Sequence, residues 1–397
     1  MTTKIMNYNQ AVRYLNSFIN YERWLAYNPN REFNLDRMRV FLARLDHPEK
    51  KFPSVLVAGT KGKGSTVMML ASILKSSGYR VGTYTSPHLL DLRERITMNG
   101  EWISQNDLAR GMTQIKRRLG RLKPTYFEAL TLLAFWQFAE KKVDIAVVEV
   151  GLGGRLDATN VLEPLISVIT SISYDHMKEL GSTLSQIARE KTGIIHHGSL
   201  VVTAPQEREA RRVIRETARK QKAILLEVKV DSPLFQKENE SVARTVAIAL
   251  IDFGFDKIKS STVQRGIHKF HWPGRFEMIE KNPTVILDGA HNGESMQAII
   301  SAVRSRFPRS RIIPVVGISR GKDWKRMSDV LAKNSDTLIA TESRDIRACP
   351  AQELGGKFIA APVSKAIELA KSIACPEDVI LVTGSLFLVG EVLSCRK

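Results

Sequence analysis

The stretch Val55-Leu56-Val57-Ala58-Gly59-Thr60-Lys61-Gly62-Lys63-Gly64-Ser65-Thr66 decides how the chain is read. An apolar run enters a glycine-rich turn, and the turn opens onto Thr66–Ser77, where apolar residues recur at the spacing of a helix face. Strand, glycine turn and helix together make a phosphate cradle. Glycines let backbone N–H groups turn toward phosphate oxygens, and the helix N-terminus adds positive potential. Lys63 supplies a point charge and Ser65 or Thr66 a hydroxyl suited to magnesium. The spacing departs from the standard P-loop, since Val57 stands where the first glycine would be and Gly64 where the hydroxyl would be.

Outward from this turn, short apolar runs alternate with helical patterns. Strands are expected at Ser54–Ala58, Arg80–Ser86, Asp144–Val150, Leu165–Ser171 and Leu200–Thr203. Helices are expected at Tyr126–Lys141, Leu184–Ile195 and within Asn7–Leu45. That alternation predicts a mostly parallel α/β sheet with crossover helices. A second series, Thr284–Asp288, Arg311–Val316, Asp336–Ala340 and Asp378–Thr383, follows His271-Trp272-Pro273-Gly274. The Pro-Gly pair is taken as the boundary between a first domain, residues 1–273, and a smaller Rossmann-like second, 274–397.

The 397 residues carry 59 Lys plus Arg against 41 Asp plus Glu, a net charge of +18. Such a charge suits nucleic acid, an acidic surface or small anions, and alone does not choose among them. The longest apolar stretch, about Val379–Gly390, is already broken by Thr, Ser and Gly, so a membrane span is not expected. The first residues lack the apolar block of a secretory signal, and a cytoplasmic location is expected. Cys349, Cys375 and Cys395 are too few and scattered for a disulfide framework or a thiolate metal site.

Several ionisable residues fall at predicted strand ends, where parallel sheets place ligands. Ser86 lies in Thr85-Ser86-Pro87-His88. Glu149 stands inside a wholly apolar strand, a costly place for a carboxylate unless it is paired or binds metal. His176 follows the third strand in Tyr174-Asp175-His176; on composition alone it is an ordinary loop histidine, because magnesium seldom takes imidazole. Lys191, at a helix end, would ordinarily be a solvated charge favoured by the helix dipole. In the second series, Gly274-Arg275-Phe276-Glu277 and Asp288-Gly289-Ala290-His291-Asn292 repeat the pattern, which suggests a cleft between two sets of strand ends.

These segments together resemble the folylpolyglutamate synthase and dihydrofolate synthase family of the Mur ligase superfamily. GTKGKGS, SPHL with Glu94-Arg95-Ile96, TYFE (Thr125 to Glu128), EVGLGGRLDATN, Asp175-His176, EKTGI, GRFE, DGAHN and Thr383-Gly384-Ser385 come in the family's order and span nearly the whole chain. The resemblance implies an ATP-dependent amide ligase, with its active site between two domains, that joins L-glutamate to a folate or dihydropteroate carboxylate through an acyl phosphate. By position, Gly59, Thr60, Lys61, Gly62, Lys63, Gly64, Ser65 and Thr66 would hold the ATP phosphates. Ser65 and Glu149 resemble ligands of one Mg²⁺, and Ser86, Glu149 and His176 those of a second. Lys191 matches the lysine that is carbamylated in the superfamily. Asn239, Arg275, Asp288 and His291 resemble nucleotide contacts, and Thr125, Phe127 and Asp157 the pterin-side pocket. The chain departs from the family pattern at Lys61, in place of an asparagine, at Thr192, in place of an alanine, and at Gly293-Glu294, in place of a proline-containing pair.

The partners implied are small molecules, with neither nucleic acid nor membrane, and a monomer is expected. Two alternatives remain open on sequence alone. One is another Mur-type amide ligase, against which TYFE, GGRLDATN and SPHL speak. The other is a nucleic-acid-dependent ATPase, which accounts for the charge and the glycine turn but leaves Lys191 and DGAHN unexplained.

Overall fold

The computed structural model describes residues 5–22, 34–230, 234–322, 324–335 and 337–395. Part of the predicted Asn7–Leu45 helical stretch therefore lies outside the described residues. Two compact units result. The first holds the described residues up to His88 together with Arg93–Phe270, and the second holds Leu89–Leu92 with the chain from His271 onward.

In the first unit, α1 (Tyr8–Asn16) and α2 (Leu35–Arg44) precede β1 (Ser54–Ala58), α3 (Lys63–Ser76) and β2 (Val81–Tyr84). A small antiparallel extension follows, β3 (Ile96–Met98) and β4 (Glu101–Trp102), then α4 (Gln105–Leu119), α5 (Tyr126–Glu140) and β5 (Ile145–Glu149). The unit continues with β6 (Ile166–Ile169), α6 (Met177–Leu180), α7 (Leu184–Lys191), β7 (Leu200–Thr203), α8 (Arg208–Lys220), β8 (Ile224–Glu227), α9 (Phe235–Ala249) and α10 (Ser260–His268). Among the described residues these strands form a sheet of order β4-β3-β2-β5-β1-β6-β7-β8, and β2, β5, β1, β6, β7 and β8 run parallel.

Strand order explains where a site can form. From β1 the chain runs outward through β2, β3 and β4, returns at β5, and then fills β6 to β8 on the other side of β1. The carboxyl end of β1 is thus a switch point, where neighbouring connections diverge and leave a crevice. β1 and β5 are buried on both faces, which is why they read as unbroken apolar runs rather than alternating ones. On one face α3 and α9 close the core through Val67, Leu70, Ile73 and Leu74 against Val242, Val246 and Ala247. α5 is buried along most of its length; Phe135 and Phe138 are fully buried and meet the ring of Phe52 at 6.1 and 5.6 Å. Each such side chain contributes about 1.5–3 kcal/mol relative to exposure.

The second unit is a smaller mixed sheet. It contains β9 (Glu277–Glu280), β10 (Thr284–Leu287), α11 (Gly293–Arg306), β11 (Ile312–Val316), α12 (Trp324–Ala332), β12 (Ile339–Ala340), β13 (Phe358–Ile359), α13 (Val363–Ile373), β14 (Val379–Thr383) and α14 (Leu386–Ser394). The order is β13-β12-β11-β14-β10-β9, parallel except for β9 at one edge. One face packs on Met296, Ile299, Val303 and Met327, the other on Val363, Ala366, Leu388 and Val389. The α/β fold expected from the alternation is the one the chain adopts, with four additions to the expected strands: the β3–β4 pair, the edge strand β8, the antiparallel β9 and the short β13. Among the described residues no helix is long and apolar enough to cross a membrane.

Candidate active site

The glycine turn joins β1 to α3 and is tied to the chain after β6. Thr60 and Lys61 N–H donate to the Ser171 carbonyl at 2.9 and 3.2 Å, and the Thr60 hydroxyl donates to the Ser173 carbonyl at 3.1 Å. Gly62 caps α3 with φ +80°, a left-handed conformation that favours glycine. A Cβ built there would stand 2.1 Å from Asn239 Oδ1, so α9 lays Asn239 directly on the turn. Asn239 is buried and belongs to the first unit.

Parallel pairing sets Glu149, the last residue of β5, beside Val57 of β1 and hence at the mouth of the turn. Glu149 is 4% exposed. One oxygen lies 3.8 Å from Lys63 Nζ, near enough for charge attraction but too far for a hydrogen bond, and the other accepts the Ser86 N–H at 3.1 Å. Lys63, Ser86 and Glu149 are therefore together. Thr66 Oγ1, next along α3, is buried without a hydrogen-bond partner among the described residues.

Lys191 ends α7 and is 5% exposed, where a helix-end lysine is ordinarily solvated. Its ammonium donates to the Gly59 carbonyl at 2.7 Å. Burial, followed by the charge of Lys63, lowers its pKa from 10.5 to about 7, so much of it is a neutral amine near neutrality. His176 caps α6 at φ 49° with its side chain 46% exposed, 3.9 Å from the carboxylates of Asp175 and of Glu179. Among the described residues no three His, Cys, Asp or Glu are gathered as a metal site. The expected ligand sets hold only Glu149 and His176 of those types; the rest are hydroxyls.

Thr125 and Glu128 form a capping box at the start of α5: the threonine hydroxyl accepts Glu128 N–H at 3.2 Å, and Glu128 accepts Thr125 N–H at 2.6 Å. Arg37 from α2 also holds Glu128, at 2.8–2.9 Å. Phe127 is half-buried, its ring tilted at 35° to Tyr84 with centroids 5.7 Å apart and lying against Gly151. Asp157 is buried, which pushes its pKa up. Its oxygens nevertheless accept Leu152 N–H at 2.9 Å, Thr159 N–H at 3.0 Å and the Thr159 hydroxyl at 2.6 Å, and hold the glycine segment after β5.

In the second unit the DGAHN turn follows β10. Asp288, buried and pushed up in pKa by that burial, accepts N–H groups of Phe276 and Ala290 at 2.9 Å each. Arg275 offsets the shift and lies over the Trp272 ring at 5.2 Å. His291 Nδ1–H donates to the Gly289 carbonyl at 2.9 Å, which fixes the ring beside the turn.

Arg95, within Glu94-Arg95-Ile96, has a structural part that its sequence does not announce. It is 1% exposed and chelates Glu22 with two bonds of 2.7 Å. Its Nε–H donates to His88 at 2.8 Å, while its carbonyl accepts Thr85 N–H at 2.9 Å. Arg95 thus grips both ends of the Ser86 segment. An arginine closing the charged run Arg93-Glu94-Arg95 gives no hint in sequence that it is buried.

A buried carboxylate and a buried lysine lie at the glycine turn of a chain that matches the Mur ligases, a class of ATP-using enzymes, over most of its length. Residues 57–271 match the Mur ligase middle domain and 274–386 the Mur ligase, glutamate ligase domain. The chain is 35% identical to the dihydrofolate synthase/folylpolyglutamate synthase of Bacillus subtilis, over 90% of this chain and 94% of that one. Escherichia coli FolC in complex with DHPP and ADP superposes with a TM-score of 0.88 at 28% identity, over 98% of each chain. A bifunctional folylpolyglutamate synthase/dihydrofolate synthase with Mn, AMPPNP and L-glutamate bound gives 0.87 at 28%, again over 98% of each. The chain belongs to the folylpolyglutamate synthase/dihydrofolate synthase family of Mur ligases.

Proposed function

We infer that this chain joins L-glutamate by an amide bond to the carboxylate of a folate or dihydropteroate, using ATP. Residues 1–273 act as the ATP-binding domain and 274–397 as the ligase domain. The observation that carries the reading is the buried Glu149, held between Lys63 and the Ser86 amide where the glycine turn opens.

A carboxylate is a poor acceptor for an amine until activated. One of its oxygens attacks the γ-phosphorus of ATP, the bond to the β–γ bridging oxygen breaks, and ADP leaves an acyl phosphate. The α-amino group of L-glutamate attacks the acyl carbon; the carbon–oxygen bond to phosphate then breaks, phosphate leaves with that oxygen, and nitrogen loses a proton. Lys63 and the N–H groups at the start of α3 offset the charge of the phosphates as two anions meet. Asn239, Arg275, Asp288 and His291 contact the nucleotide. Thr125, Phe127 and Asp157 shape the pterin side, the first by capping α5 and the third by fixing the turn beneath the Phe127 ring.

The donor set fits magnesium: a buried carboxylate, the hydroxyls of Ser65 and Ser86, and an orphaned Thr66 hydroxyl at the same turn are hard oxygen ligands. Ser65 and Glu149 would hold one ion, and Ser86, Glu149 and His176 a second. When bound, the metal neutralises charge on the phosphate oxygens. Lys191 serves as a carbamate: a buried amine with a pKa of about 7 is neutral often enough for its nitrogen to bond to the carbon of carbon dioxide and release a proton, which leaves an anion in place of a cation. Phosphate release with ATP and L-glutamate, with dihydropteroate and tetrahydrofolate compared as acceptors, tests the assignment. Release dependent on both acceptor and glutamate supports it, and release indifferent to both removes it.

A further inference from the structure

Asn160 ends the GGRLDATN motif, and nothing in the reaction above uses it. It is 8% exposed, and every polar atom of its side chain is engaged. Its Nδ2 group donates to the Arg155 carbonyl at 3.2 Å and to the Gly193 carbonyl at 3.0 Å. Its Oδ1 accepts from His196 Nε2 at 3.0 Å, and because a carbonyl oxygen only accepts, the imidazole carries its proton on Nε2.

The two carbonyls belong to different segments, the glycine-rich turn after β5 and the end of α7. These lie unusually close. A Cβ on Gly193 would stand 2.4 Å from Arg155 Cα, Arg155 N–H donates to the Glu190 carbonyl at 2.8 Å, and the Arg155 guanidinium meets Glu190 Oε1 at 2.9 Å. Lys191 lies between Glu190 and Gly193, with its amine on Gly59. An amide that clamps Arg155 to Gly193 therefore fixes the point from which the Lys191 side chain reaches the nucleotide turn.

We propose that Asn160, oriented by His196, is a positioning residue that braces the Lys191 backbone against the turn following Glu149. The proposal rests on the reading of Lys191 as a functional group. His196 selects among the ways the amide can face: with its N–H on Oδ1, the Nδ2 group must point to the two carbonyls. Neither residue touches the reacting atoms in this scheme. Their loss acts through where Lys191 sits.

The test uses the full chain with Asn160→Ala, His196→Ala, His196→Gln and Lys191→Ala, measuring kcat, the KM for each substrate, and the melting temperature. Asn160→Ala and His196→Ala are expected to lower kcat about tenfold or more, with KM values within about twofold, as for other groups that orient a site residue. His196→Gln, whose amide N–H can replace the imidazole donor, is expected to recover most of the rate. His196→Ala, at a half-buried position, keeps the test open if Asn160→Ala fails to fold. Folded variants with full kcat beside an inactive Lys191→Ala overturn the brace alone. A fully active Lys191→Ala removes the reading of Lys191 and the brace with it.

Discussion

Replacing Glu149 by glutamine separates what the buried carboxylate does for the fold from what it does for the reaction. The substitution keeps the shape, and the glutamine carbonyl can still accept the Ser86 N–H that Glu149 holds at 3.1 Å. What it removes is one charge. At the 3.8 Å separation from Lys63 Nζ, that charge is worth about 4 kcal/mol of attraction at an effective dielectric near 20. Burying a carboxylate costs about as much, several kcal/mol, so the two contributions nearly cancel and stability should change by about 1 kcal/mol or less. In a unit of this size that shifts the melting temperature by about 2–4 °C. The catalytic effect does not cancel, because a neutral amide cannot hold a divalent ion against the phosphates. Ligation should fall at least about a hundredfold. Thermal melts and phosphate release at ordinary Mg²⁺ measure both halves. A folded Glu149→Gln that ligates within tenfold of the parent takes Glu149 out of the site, and a variant that no longer folds refutes the balance of charges argued here.

With carbon dioxide and bicarbonate excluded, so that Lys191 is the unmodified amine, Lys191→Met should alter the pH dependence of stability. Between about pH 7 and 10.5 the unfolded parent holds a proton on Lys191 that the folded parent has shed, so the parent gains stability relative to Lys191→Met as pH rises through that window; parallel melting curves would contradict the burial argument. Gly62→Ala should raise the KM for ATP about tenfold and cost about 1 kcal/mol, from φ +80° and the approach to Asn239 Oδ1, and in a double-mutant cycle Asn239→Ala should relieve part of the cost; strict additivity would deny the contact. Glu227, held at a pKa of about 2 by Arg215 and Arg211, lends stability that is present above about pH 4.5 and lost as pH falls toward 2. Glu227→Gln should flatten that acid limb in a pH series of melts, and an unchanged limb would count against the ion pairs. If the +18 charge steers anionic substrates, affinity for a triglutamate folate should fall more steeply with salt than affinity for the monoglutamate; equal slopes reject steering.

The parts of the fold that were legible share one physical property: burial on both faces. β1, β5, β6 and β14 announce themselves as apolar runs because no residue in them faces water. β3 and β4 are three and two residues long, β13 is two, and β8 is a partly exposed edge, so none carries enough pattern to be seen. Glu149 was readable as a polar group set in an apolar strand, and the glycine turn as the break between such a strand and a helix. Lys191 was not. A helix-end lysine reads as solvated, and only the packing of α7 under the turn, at Gly59, buries it. Thr125 and Glu128 were readable as a motif, while their part as a capping box, spelled by Thr-x-x-Glu before an apolar run, went unnoticed. Arg95 depends on Glu22, 73 residues earlier, and no local pattern encodes such a pair.

The central claim is that the acceptor carboxylate is activated as an acyl phosphate, and the fate of its oxygen tests this directly. With both carboxylate oxygens of the acceptor labelled with ¹⁸O, ligation to L-glutamate should deliver one labelled oxygen into the inorganic phosphate for every amide formed, read by mass spectrometry. Amide formed with unlabelled phosphate would contradict the account.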